Sequence, residues 1–169
     1  TGSGSNYISD HAFNFWALIG RLKKIPDSVK FFNLTARNLG YLISAPIFLY
    51  TLSLALKTRF SVKIMIFLTA TFPLTTFLFF TRMHERYLEA ALPGLLLTTV
   101  YSKLMFIPFV LLSLTNFLNL YHNWESPKFA AFNQLLSNWS TIVAIIITNL
   151  AVLALVLVRT HRQAYEKAS

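Results

Sequence analysis

The chain has 169 residues, of which 55% are hydrophobic and 12% are charged, and its mean hydropathy is +0.55. This composition is too apolar for a soluble domain with one core, and it predicts a protein that presents side chains to a lipid bilayer. Because the chain contains no cysteine, disulfides, thiolate metal sites and cysteine nucleophiles are excluded. The net charge of +9 comes from basic residues between apolar blocks and at the chain end, so membrane lipids, and not nucleic acid, are the expected partners.

Four apolar blocks are predicted to cross the membrane as helices. Two of them, residues 38–56 and 141–158, contain no charged residue and approach the length of about 20 residues that a helix needs to cross the hydrocarbon. The other two, residues 64–80 and 104–120, are shorter, and each contains one proline, which membrane helices tolerate as a kink.

A fifth block, residues 87–101, is short, contains Glu89 and is interrupted by Pro93 and Gly94, so it is either a broken span or a re-entrant segment. The basic residues of the loops favour a crossing, because they share the cytoplasmic side only if this block spans the membrane. Those residues are Lys57, Arg59, Lys63, Lys103, Arg159, Arg162 and Lys167. The predicted fold is an all-α, polytopic transmembrane helical bundle of about five spans, one of them short or broken.

Three regions follow from these spans. Residues 1–37 are expected to form an extracytoplasmic or interfacial segment, residues 38–158 the transmembrane bundle, and residues 159–169 a basic cytoplasmic tail. The opening TGSGS resembles a linker and is followed by no signal peptide. The chain is therefore expected to be a piece of a protein whose N-terminal remainder is its partner.

Charged residues of both signs cluster in FFTRMHERYLEAALPG, residues 79–94, directly after an apolar run. If residues 82–89 continue as a helix, Arg82 can pair with Glu85 and Arg86 with Glu89 at a spacing of three residues. In one interpretation the arginines only extend from the membrane to water, and the glutamates neutralise them. In the other, two guanidinium groups and the imidazole of His84 hold a lipid phosphate with a geometry that lysine cannot reproduce.

Other kinds of chemistry are not indicated. The five glycines form neither a phosphate-binding loop nor a dinucleotide motif, and HERYL has Leu88 where a zinc protease motif would have its second histidine. The four histidines are far apart in the sequence, so histidine alone does not predict a metal site. The sequence identifies no cofactor, and a site for a divalent metal in a longer form of the protein is not excluded.

Three segments resemble parts of one family. TRMHERYLEAALP is similar to the R-x-H-E-R-Y-L signature of bacterial integral-membrane glycosyltransferases of the GT-C class, which use polyprenyl-phosphate-linked sugars. SDHAFNFWALIG, residues 9–20, resembles the segment before that signature, and LLSLTNFLNLYH, residues 111–122, resembles the span after it. Two departures are that His11 stands at an Asn-like position, and that Glu89 and Ala90 stand where the family has an aromatic residue and proline.

The resemblance implies a C-terminal part of such an enzyme, with a polyprenyl-phosphate sugar donor as partner and the lipid phosphate at the outer membrane face. Arg82, His84 and Arg86 would then bind the phosphate, with Glu85 orienting one of them and Tyr87 donating a hydrogen bond or packing. No residue matches the carboxylate that activates the acceptor, since Asp10 and Asp27 are the only aspartates and neither lies between two spans. The catalytic base is therefore expected outside this chain, which alone would be inactive.

Two other classes remain open. A non-catalytic assembly or structural subunit would use the Arg and Glu cluster as a clamp between helices. A transporter would need a polar residue near the middle of a span. The candidates for that role, Asn149 and Thr75, are isolated in the sequence.

Overall fold

The structure is a computed structural model that describes residues 6–124 and 126–166. Within this part of the chain there are seven α-helices, two short 3-10 helices and one two-stranded sheet. Four helices are long and apolar enough to cross a membrane, which confirms the predicted all-α, polytopic transmembrane bundle. The predicted linker at residues 1–5 and the last three residues of the tail, including Lys167, lie outside the described residues.

The segment before the first span folds into small elements. Helix α1 is Phe15–Gly20, and the side chain of its N-cap, Asn14, accepts a hydrogen bond from the backbone N–H of Ala17. Strands β1 (Lys30–Phe31) and β2 (Leu34–Thr35) form an antiparallel hairpin. Both turn residues, Phe32 and Asn33, have positive φ angles, as in the two-residue turns that fit the twist of a hairpin.

The four long helices agree with the predicted spans within a few residues, except at the end of the last one. They are α2 (Ala36–Lys57), α3 (Val62–Phe79), α5 (Phe106–His122) and α7 (Trp139–Tyr165). Side chains of Thr35, Ser61 and Asn138 cap α2, α3 and α7. Helix α7 continues to Tyr165, so the predicted basic tail is helical as far as that residue. One further helix, α6 (Ala130–Ser137), lies between α5 and α7.

The fifth predicted block is short, as expected, but Pro93 and Gly94 lie within a helix and do not interrupt it. A 3-10 helix, Glu85–Ala91, is followed directly by α4, Leu92–Thr98. Together they extend over about 24 Å, less than the roughly 30 Å of the hydrocarbon core. Pro93 lies in the first turn of α4, where its missing N–H costs nothing. A second 3-10 helix, Lys103–Met105, leads into α5.

The directions of α3 and α5 show that the chain between them must cross back along the bundle. Asn14 and Trp16 contact the carbonyls of Phe77 and Phe79 at the end of α3, and Asn119 near the end of α5 contacts Phe13. Helices α3 and α5 therefore both run toward the end of the bundle that holds residues 82–89, here called the cluster end. The chain between them must return, and the 3-10 helix and α4 carry it back along α3.

Close backbone contact holds this return segment in place. A Cβ atom on Gly94 would lie 2.6 Å from the carbonyl carbon and the Oγ1 atom of Thr69. Only glycine permits the backbone of α4 to approach α3 so closely. Behind it, buried apolar side chains of α3, α4, α5 and α7 form one core, which includes Phe67, Leu74, Leu95, Leu112 and Val152.

Candidate functional site

The turn that carries the charged cluster is not a helix. Arg82 has a φ angle of 63°, in the left-handed region, and helical structure begins only at Glu85. The N-terminal segment binds the backbone of this turn, since the N–H of Arg82 donates to the carbonyl of Tyr7 at 3.0 Å and the N–H of Asp10 donates to that of Met83 at 3.1 Å. The condition for the i,i+3 pairs, one helix over residues 82–89, is therefore not met at residues 82–84, because a strand-like contact replaces the helical turn.

Arg82 binds an aspartate and not Glu85. Its Nε donates to Oδ2 of Asp27 at 2.7 Å. The guanidinium of Arg37 donates to both oxygens of the same carboxylate, from Nε at 2.8 Å and from Nη2 at 3.0 Å. The side chain of Asp27 is only 2% exposed, whereas each arginine side chain is 42% exposed. Asp27 thus fixes the N-terminal segment, the start of α2 and the cluster turn to one another.

The charge state of Asp27 follows from these contacts. Burial raises the pKa of its carboxyl group, but the hydrogen bonds and positive charges of Arg37 and Arg82 outweigh burial and hold the pKa below its usual value of 3.8. The carboxylate is therefore ionised at neutral pH, and its negative charge offsets part of the positive charge of the two guanidinium groups.

His84 lies beside the other aspartate of the chain. Its Nδ1 is 3.4 Å from Oδ2 of Asp10, and the Nε2 of His11 is 3.7 Å from Oδ1 of the same residue. The ring of Tyr87 contacts the His84 ring edge to face, with centroids 5.4 Å apart. This places Tyr87 as a packing partner of His84. Asp10 is thus the carboxylate that orients the imidazole, which the sequence did not indicate.

The predicted ion pairs of the glutamates are wrong. Among the described residues, neither Glu85 nor Glu89 has a basic group within 4.0 Å of its carboxylate. Instead, Oε1 of Glu85 accepts a hydrogen bond from the Nδ2 of Asn123 at 3.5 Å, and its Oε2 is buried without a partner in this part of the chain. Glu85 therefore contacts the end of α5, and no basic group of the described residues lies close enough for its carboxylate to orient it.

Arg86 occupies a different place from Arg82. Its side chain is exposed and lines a groove of about 800 Å³ between α3 and the 3-10 helix. Tyr87 and Glu89 also line this groove, which we call groove A, and its wall on α3 is formed by Phe72, Pro73, Thr76 and Phe77. The guanidinium carbon of Arg86 lies 5.8 Å from the centre of the Tyr87 ring. Groove A thus combines a cation at the cluster end with an apolar wall along α3.

The third resembling segment also reaches the cluster end. Asn119 of α5 accepts a hydrogen bond from the backbone N–H of Phe13 at 2.9 Å and donates to the carbonyl of His11 at 2.8 Å. Its side chain is fully buried. The three segments at residues 9–20, 81–93 and 111–122 are thus brought together, although Phe13 and Asn119 are 106 residues apart in the sequence.

Polar residues within the spans make contacts that the sequence did not reveal. Asn149 of α7 is not isolated, because its Oδ1 accepts a hydrogen bond from the Oγ1 of Thr115 at 2.6 Å and its Nδ2 donates to the carbonyl of Phe13. Thr75 is buried, and its hydroxyl has no partner among the described residues. Within the same residues, no group of three His, Cys, Asp or Glu side chains is placed to hold a metal ion.

Comparison with known proteins adds no relative: no family model, no curated protein and no solved structure matches this chain. The geometry of the described residues therefore carries the functional argument.

Proposed function

We propose that this chain is the membrane part of a glycosyltransferase that takes a sugar from a polyprenyl-phosphate donor, and that it holds the lipid phosphate. The observation that carries the proposal is the position of Arg86, an exposed guanidinium at the cluster end of groove A. A lipid phosphate needs a cation where its head group lies and an apolar wall for its chain. Groove A offers both within one continuous surface.

In the proposed reaction, the cation at groove A stabilises the phosphate that leaves the sugar. When the bond between the sugar and the lipid phosphate breaks, negative charge grows on the phosphate, so a cation that binds it more strongly at that moment accelerates transfer. Arginine does this best because its planar fork donates two parallel hydrogen bonds to phosphate oxygens. Among the three predicted phosphate ligands, Arg86 is the primary candidate.

The other two predicted ligands have secondary roles in this proposal. Arg82 has committed its Nε to Asp27, so only its terminal nitrogens can face a phosphate. His84 is partly exposed and lies against Asp10, so a protonated imidazole would divide its charge between that carboxylate and a ligand. Glu85 has no supporting role toward the phosphate, and Tyr87 forms part of the wall of groove A.

The cellular setting belongs to the same proposal. The cluster end is taken as the outer face of a bacterial plasma membrane, because the basic loops at Lys57–Lys63 and after Val158 then lie inside. Transfer also needs a base that deprotonates the acceptor, and the resemblance places that base outside this chain. The chain alone is therefore expected to bind the lipid but not to transfer sugar.

A structural role is the second candidate, and one observation favours it. Asp27 binds both Arg37 and Arg82, so part of the cluster does act as a clamp between the N-terminal segment and the turn. A purely structural subunit, however, would make no use of Arg86 at the end of groove A.

Sugar transfer by the intact enzyme distinguishes the two candidates. Arg86→Lys keeps the charge but removes the fork, so we expect the rate of transfer from a polyprenyl-phosphate sugar to fall at least tenfold. The matched control is Arg59→Lys, an exposed arginine at the opposite end of the bundle, which should leave the rate unchanged. Unchanged transfer by a normally inserted Arg86→Lys enzyme would favour the structural role.

A further inference from the structure

A second groove lies next to groove A. It has a volume of about 620 Å³ between α4 and α5, and we call it groove B. Glu89 lines both grooves and forms the wall between them. The other polar residues of groove B are Ser113 and Asn116, and its apolar wall includes Leu96 and Phe109.

The lining of groove B is graded along the membrane normal. Helix α4 runs away from the cluster end and α5 runs toward it, so Glu89 and Asn116 lie near that end, whereas Leu96 and Phe109 lie deeper. A molecule that fits must therefore have a polar head at the cluster end and an apolar chain below it. That is the shape of a membrane lipid.

Asn116 indicates what the head group must offer. Its side chain is only 5% exposed, and its Oδ1 is enclosed without a hydrogen-bond partner among the described residues. Buried polar atoms in folded proteins nearly always have a partner, and Asn116 is one of the residues that line groove B, so a ligand that donates a hydrogen bond would satisfy this oxygen. An amide oxygen accepts hydrogen bonds, and a hydroxyl group is a donor that a lipid head can supply.

The lining of groove B favours a neutral head group, because it contains Glu89 and, among the described residues, no cation. No basic group of the described residues lies within 4.0 Å of its carboxylate, so its negative charge is not neutralised by an ion pair. Groove A also contains Arg86, whose positive charge offsets that of Glu89, whereas no cation is among the described residues that line groove B. A phosphate in groove B would therefore be repelled, whereas hydroxyl groups would donate to Glu89. We propose that groove B binds a neutral lipid whose head group carries sugar hydroxyls, with Glu89 and Asn116 as its hydrogen-bond acceptors.

This inference rests on the proposed function for its biological meaning. If groove A holds the donor phosphate, a sugar-bearing lipid in groove B brings its hydroxyls to Glu89, at the wall that the two grooves share. Groove B is then the acceptor site, and the acceptor class is a neutral glycolipid. The placement of groove B itself does not depend on what occupies groove A.

The test measures the binding of two probes to the chain in nanodiscs. The first probe is monoglucosyl-dioleoylglycerol, and the second is undecaprenyl phosphate. Asn116→Leu removes the amide while keeping a similar volume, and Leu96→Trp fills the deeper part of groove B without touching its polar end. Asn133→Leu, at an exposed asparagine of α6, is the matched control.

We expect Asn116→Leu and Leu96→Trp each to weaken binding of the glucolipid at least fivefold, while Asn133→Leu leaves it unchanged. All three variants should bind undecaprenyl phosphate like the wild type. Equal glucolipid binding by the wild type and Leu96→Trp, or equally effective competition by dioleoyl phosphatidylglycerol, would overturn the proposal. Loss of glucolipid binding in these variants, together with undecaprenyl phosphate binding that does not depend on Arg86, would support groove B and contradict the donor site.

Discussion

Arg82 and Asp27 form a hydrogen-bonded ion pair of 2.7 Å across 55 residues of sequence. This pair divides the charged cluster into two parts with different surroundings. Arg82 belongs to a clamp that also includes Arg37, whereas Arg86, four residues later, faces groove A. The same short motif thus supplies one residue to the architecture and another to the candidate site.

The clamp predicts a loss of stability when its carboxylate is neutralised. Asp27→Asn removes the charge that two guanidinium groups share, so we expect the free energy of unfolding to fall by about 1–2 kcal/mol. The loss should be smaller than for a fully buried ion pair, because the arginine side chains are each 42% exposed. Thermal unfolding in detergent measures it. Asp10→Asn is the control with a smaller expected effect, since its basic neighbours are histidines at 3.4 and 3.7 Å.

The lowered pKa of Asp27 predicts a particular dependence on pH. A carboxyl group whose pKa is lower in the folded state stabilises the fold fully above its unfolded value, near 3.8, and this stabilisation is lost as the pH falls through the folded value. The difference in melting temperature between the wild type and Asp27→Asn should therefore stay constant from about pH 7 to pH 5 and shrink below about pH 4. A difference that disappears between pH 7 and pH 5 would contradict this assignment.

Gly94 predicts how α4 packs on α3. In Gly94→Ala the new methyl group would lie 2.6 Å from backbone and side-chain atoms of Thr69, so we expect a loss of about 1–3 kcal/mol in the free energy of unfolding. In the control Gly20→Ala the methyl group would meet the side-chain end of Ile8 at 2.8 Å, which can move aside. Equal melting temperatures for Gly94→Ala and the wild type would show that α4 does not lie against α3 as described.

Cysteine labelling tests the direction of the return segment. Because the natural chain has no cysteine, a single introduced thiol reports one position. We expect Phe32→Cys and Asn123→Cys to react with a membrane-impermeant maleimide in intact cells, and Arg59→Cys and Lys103→Cys to react only after the membrane is opened. Reaction of Lys103→Cys in intact cells would mean that residues 85–101 do not cross the membrane and return to the outer face.

The spans were predictable because uninterrupted apolar blocks of sufficient length leave no alternative to membrane helices. The residues that bind the charged cluster could not be predicted from the sequence. Asp27 and Asp10 precede the first span, and only the folding of residues 6–35 onto the end of α3 brings them to Arg82 and His84. Such contacts depend on tertiary packing and have no signature in local spacing.

The expected pairs Arg82 with Glu85 and Arg86 with Glu89 were wrong for a related reason. The pair Arg82 with Glu85 required a continuous helix, but Arg82 has a left-handed φ of 63°, and the turn binds the backbone of residues 7–10. Arg86 and Glu89 do lie in one 3-10 helix, where side chains three residues apart share a face, yet their charged groups do not come within 4.0 Å of each other. The local sequence pattern identified the charged cluster. Only the tertiary contacts showed that Arg82 binds Asp27 and that Arg86 lines groove A.

Binding of undecaprenyl phosphate to the purified chain in nanodiscs tests the central claim, that Arg86 holds a lipid phosphate, most directly. We predict that Arg86→Ala weakens binding about tenfold or more, because a charge-assisted hydrogen bond contributes about 1.5–3 kcal/mol, and that Arg59→Ala at the opposite end binds like the wild type. Equal affinity of the wild type and Arg86→Ala, with Arg59→Ala unchanged, would contradict the claim.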